Sequence, residues 1–67
     1  MAGTLRIMDS TGDTRLLWQN EQEAEAVANV FMERLRNGYS AFAGDKQIRT
    51  FDPSASDIVM ISKIQGG

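Results

Sequence analysis

Few residues in this chain could carry out chemistry, and their types narrow the possibilities. The sequence has no Cys and no His. That removes thiol nucleophiles, disulfides, imidazole acid–base catalysis and the usual zinc ligands. The aspartates are Asp9, Asp13, Asp45, Asp52 and Asp57. Asp9 and Asp13 lack the dense ligand spacing of a calcium loop and read as solvated turn residues. Gly12-Asp13 is too short to cradle a phosphate. Arg6, Arg15, Arg34, Arg36, Lys46, Arg49 and Lys63 are scattered among acids, and the net charge is −2. Nucleic-acid binders carry a basic stripe, so no nucleic-acid partner is expected. Trp18, Phe31, Phe42 and Phe51 read as core rather than as a base-stacking platform, because a small core needs its aromatics. What remains is Gly66-Gly67, two residues with no Cβ at the end of the sequence.

The elements that would position such a segment must come from 67 residues. That length fits one domain, with a core covering about 60% of the unfolded surface. A deep substrate pocket would consume much of that core, so no catalytic site of the chain's own is expected, and no cofactor. The lack of disulfides points to a reducing, cytoplasmic setting. No stretch approaches the roughly 18 apolar residues that span a bilayer. Met1-Ala2-Gly3-Thr4 lacks the regions of a signal peptide. A soluble monomer is expected.

Leu5-Arg6-Ile7-Met8 reads as a first strand, Ser10-Thr11-Gly12-Asp13 as a turn with Gly12 at positive φ, and Thr14–Trp18 as the second strand of a hairpin. Asn20 is a good helix N-cap, with Glu23 three residues on as in a capping box. Ala24, Val27, Ala28, Phe31 and Leu35 recur at helical spacing. Asn37-Gly38 ends the helix. Tyr39–Ala43 and Lys46–Phe51 read as two strands joined at Gly44-Asp45, and Asp52–Ser56 with its Pro53 as a break. Asp57–Ser62 holds four consecutive apolar residues, which suit a strand in the middle of a sheet. The order is β-β-α-β-β-β, an α+β domain in which one helix covers one face of a mixed sheet. A central last strand would run parallel to the first.

This order and the end of the sequence resemble the ubiquitin-like β-grasp family, with its N-terminal hairpin, helix across the sheet, and final strand leading to a C-terminal tail. Asp57-Ile58-Val59-Met60-Ile61 followed by Ser62-Lys63-Ile64-Gln65-Gly66-Gly67 looks like the end of small sulfur carriers and prokaryotic ubiquitin-like modifiers. The chain departs from that pattern in having Ser54-Ala55-Ser56 before the last strand and no proline ahead of Gly66. The resemblance implies a β-grasp domain over residues 1–63 and a flexible tail over 64–67. It implies an activating enzyme that binds the domain and adenylates the Gly67 carboxylate with ATP. The acyl-adenylate would then pass to a sulfur-transfer partner or to a lysine of an acceptor protein. Gly66 and Gly67 would keep the tail slender enough for a narrow channel.

Alternation within each strand sets Leu5 and Ile7 against Met8, Leu16 and Trp18 against Leu17, and Ile58 and Met60 against Val59 and Ile61. A single helix covers one face, so some apolar residues face outward, and such a patch marks an interaction site. Leu17, Val59 and Ile61 are therefore candidate partner-binding residues, and the resemblance adds Lys63, Ile64 and Gln65 of the segment leading to Gly66-Gly67. The alternative to a carrier is an interaction or assembly module whose tail is never activated.

Overall fold

The computed structural model describes residues 2–9 and 12–62. The elements are β1 (Gly3–Asp9), β2 (Gly12–Trp18), α1 (Glu21–Arg36), β3 (Ser40–Ala43), β4 (Lys46–Ile48) and β5 (Asp57–Ile61).

Local chemistry fixes both ends of α1. Asn20 is in extended conformation, and its Oδ1 accepts the Glu23 amide at 2.9 Å. Glu23 Oε1 in turn accepts the amide of Gln19 at 2.8 Å. The reciprocal pair satisfies two donors around the helix start, with the second bond one residue upstream of the usual capping box. At the other end the Gly38 amide donates to Leu35 O at 3.1 Å and the Tyr39 amide to Arg34 O at 3.0 Å. That is a Schellman motif, and Gly38 sits at φ 98°, where a side chain would be strained. Acidic Glu21 and Glu23 and basic Arg34 and Arg36 match the helix dipole.

The five strands form one mixed sheet in the order β2-β1-β5-β3-β4. β5 is central and runs parallel to β1, while β1–β2, β3–β4 and β3–β5 are antiparallel. The ladder extends past the ends of β5: the Thr4 amide donates to Ser56 O and the Ser62 amide to Met8 O, each at 3.1 Å. The apolar run of β5 is thus explained by its place between two strands.

Strand periodicity splits the sheet into two faces. Leu5, Ile7, Trp18, Ala41, Ile58 and Met60 meet Ala24, Val27 and Phe31 of α1 in one buried cluster. Trp18 and Phe31 are fully buried, and Phe51 packs edge-on to both, with ring centroids at 5.0 and 5.7 Å. The Trp18 indole N–H donates to Pro53 O at 3.4 Å. Two expectations are corrected here. β4 stops at Ile48 rather than Phe51, because the chain bends at Arg49-Thr50 and carries Phe51 back over the core. Phe42 is not a core residue: register sets it opposite Val59, on the face away from the helix. The Ser10–Asp13 turn is described only from Gly12, which has φ 130°.

Candidate functional site

The uncovered face can be built row by row from the strand registers. The middle row crosses the sheet as Arg15, Arg6, Val59, Phe42 and Gln47. The row on one side is Asp13, Met8, Ile61 and Ser40. The row on the other side is Leu17, Thr4 and Asp57. Val59 and Phe42 are therefore cross-strand neighbours, as are Met8 and Ile61, in adjacent rows. Directly opposed side chains lie with Cβ atoms roughly 4.5–5.5 Å apart, so these four form a contiguous apolar patch over β1, β5 and β3. Met8 is 37% and Ile61 45% exposed.

The patch has a charged border on one side. Arg6 Nη2 lies 3.6 Å from Asp57 Oδ2, with the Arg6 side chain 35% and the Asp57 side chain 56% exposed. An ion pair of that kind contributes little to stability. Arg15 stands directly opposite Arg6. At the border away from the arginines the face ends in Gln47 and Ser40.

Of the residues expected to meet a partner, Val59 and Ile61 come together. Leu17 does not join them. It is 60% exposed on the edge strand, with Thr4 and Asp57 in its row, and it borders a shallow groove of about 280 Å³ with Leu16, Ala26, Val27 and Val30. Lys63, Ile64 and Gln65, and with them Gly66 and Gly67, lie outside the described residues. The sequence reading missed Phe42 and undervalued Met8. The signal for Phe42 was present: it is the one large side chain between Ala41 and Ala43, so a core-facing Ala41 forces it outward.

Other polar features serve the fold. Asp52 Oδ1 accepts the Ser54 hydroxyl at 2.6 Å and the Ser54 amide at 3.0 Å, and these bonds, the hydroxyl first, hold its carboxyl below the usual range. The Arg34 guanidinium lies 5.5 Å from the Tyr39 ring centroid, and the Tyr39 hydroxyl donates to Asp9 Oδ2 at 3.4 Å. These contacts tie the end of α1 to β1. Among the described residues no group of three carboxylates is placed to hold a metal ion, and no helix is long and apolar enough to cross a membrane.

No family model, curated protein or solved structure matches the chain.

Proposed function

We propose that this chain is a ubiquitin-like β-grasp domain that works by binding a protein partner through the open face of its sheet and supplies no catalytic groups itself. One observation carries the reading. Met8, Phe42, Val59 and Ile61 stand side by side on the face that α1 leaves uncovered. The β-grasp assignment is supported by the leading hairpin, the helix after it, and the central last strand parallel to the first. A partner that buries this patch gains roughly 25 cal/mol for each Å² of apolar surface removed from water. Arg6 and Asp57 at the border can fix its orientation, because rim charges set register more than affinity.

The test uses the protein as bait in extracts of its own cells, with covalent cross-linking before capture. Proteins retained by the wild type and lost with Val59→Asp, but not with Glu25→Lys on the helix, support the reading. A retained set identical for the wild type and Val59→Asp refutes it.

A second reading is favoured by where β5 ends. The Ser62 amide donates to Met8 O, so the last described residue lies at the Met8–Ile61 end of the patch. A partner gripping the patch would sit beside Ser62. On this reading the partner is an adenylating enzyme and the domain is a carrier or modifier used through Gly67. It requires Gly67 to bear the free α-carboxylate in the cell. Intact mass spectrometry of the native protein reports this directly. A thiocarboxylate, or a conjugate bonded through Gly67, supports the carrier. Free chain alone, with function unchanged on deleting Gly66-Gly67, leaves the interaction module.

A further inference from the structure

We propose that β2 is a self-association edge, joining two copies of this chain into one continuous sheet with Thr14 beside the two-fold axis.

The sheet has two edge strands, β2 and β4. β4 has three residues, too short to template much pairing, whereas β2 has seven and contains no proline. Gly12, Asp13, Thr14 and Arg15 are all exposed. An edge of this kind offers a row of unpaired backbone groups to another strand. Charged side chains guard such an edge when they meet their like, so the register decides whether Asp13 and Arg15 repel or attract.

Two copies paired antiparallel edge to edge are related by a two-fold axis perpendicular to the sheet. That axis passes beside one residue, which faces itself, and it keeps both open faces on the same side. Only a few registers are available. An axis at Asp13 sets Asp13 against Asp13, and one at Arg15 sets Arg15 against Arg15. Like charges directly opposed destabilise a sheet. An axis at Leu16 sets Arg15 against Leu17 and makes no ion pair. An axis at Thr14 sets Asp13 of each copy against Arg15 of the other, twice, with Thr14 facing Thr14. This is the one self-complementary register of the exposed half of the strand, and Thr–Thr is a favourable cross-strand pair.

The charges already facing one another within the domain supply a second argument. Arg15 already faces Arg6 across the hairpin, and Arg6 is paired with Asp57. Among the described residues no carboxylate lies within ion-pair range of Arg15. A second copy provides that carboxylate and relieves the Arg6–Arg15 opposition. The resulting ten-stranded sheet presents two copies of the Met8–Phe42–Val59–Ile61 patch on one side, so a partner with two sites would be bound by both. This departs from the monomer expected of so small a domain.

The experiment is sedimentation equilibrium on the full chain, taken up to about 1 mM because so short an edge buries less than the roughly 1,200 Å² of a stable interface. The wild type is expected to form a concentration-dependent dimer. Asp13→Arg gives an all-basic edge and Arg15→Asp an all-acidic one. Each alone is expected to weaken self-association by at least about tenfold, since two attractive pairs become repulsive. An equimolar mixture of the two is expected to regain the dimer as a heterodimer. A wild type that stays monomeric overturns the proposal and leaves the edge to a strand of another protein. Variants that dimerise alone, or a mixture that does not, overturn it as well. Should a variant fail to fold, amide exchange of the wild type decides: concentration-dependent protection at Gly12–Leu16 supports the pairing, and its absence overturns it.

Discussion

Gly3 carries a test of the packing around Trp18. It is the β1 residue opposite Trp18. An added Cβ would lie 2.7 Å from Cη2 and 2.8 Å from Cε2 of the indole, and closer still to Cζ2. Carbon atoms pack at roughly 3.5–4.0 Å, so Gly3→Ala requires the ring to move. The ring has little freedom to do so. It is fully buried, edge-on to Phe51, and hydrogen-bonded to Pro53 O. Overpacking a rigid site costs about 1–3 kcal/mol, and the upper part of that range applies here. Against it stands the ordinary gain of about 0.5–1 kcal/mol for replacing Gly by Ala within a regular element. The expected net loss is about 2 kcal/mol. With an unfolding entropy near 2.1 cal/mol/K per residue over this length, that lowers the melting temperature by about 14 °C. Thermal unfolding followed by far-ultraviolet circular dichroism measures it. The same substitution in a Trp18→Leu background removes the clash, and Ala should then equal or exceed Gly, a coupling that a double-mutant cycle reads directly. A Gly3→Ala protein that melts at or above the wild-type temperature refutes the reasoning.

Three further outcomes follow from the same contacts. Asn20→Ala removes the acceptor for the Glu23 amide and is expected to cost about 1 kcal/mol, or roughly 7 °C in melting temperature; an unchanged melt would show the cap contributes nothing. The depressed Asp52 carboxyl stabilises the 52–55 turn above its unfolded-state pKa, and that contribution is lost as pH falls through the lower folded-state value. An NMR titration should therefore find Asp52 below the ordinary aspartate range and returning toward it in Ser54→Ala; equal titration in both proteins would contradict this. Phe42→Ala is expected to leave the melt within about 1 kcal/mol of the wild type, in contrast to the 3–5 kcal/mol expected for Phe31→Ala in the core. Comparable losses in the two variants would place Phe42 in the core after all.

How much of this was legible in the sequence depended on whether the deciding signal was local. The helix was legible to the residue, because Asn20, Glu23 and Gly38 act through bonds within a few positions of themselves. The faces of β1, β2 and β5 were legible because alternation is local too. Leu5 and Ile7 alternate with Arg6, and the apolar run of β5 demanded a central place, which its pairing with β1 and β3 bears out. Phe42 and the end of β4 failed for a different reason. Phe42 was assigned by size to the core, but a strand's parity is fixed by its partner. Ala41 faces Met60 and enters the core, so Phe42 must leave it. Phe51 reaches the core because β4 ends early, a tertiary event in which edge-on packing against Trp18 and Phe31 outweighs three more residues of edge-strand pairing.

The candidate site inherits that division. Val59 and Ile61 were legible from β5 alone, while the patch that gives them meaning needed Met8 and Phe42 from two other strands. Leu17 looked equivalent to Val59 by parity, yet a shared face is not a shared site: Leu17 has Thr4 and Asp57 in its row, not the apolar residues of the patch. This separates two surfaces that one substitution each can address. Val59→Asp acts on the open face at the sheet centre. Arg15→Asp acts on the β2 edge, in the same row as Val59 but with Arg6 between them. If the first abolishes partner capture while the second changes only self-association, the domain has two independent contacts. If Arg15→Asp also weakens capture, the partner requires the paired face, and dimer and patch form one binding unit.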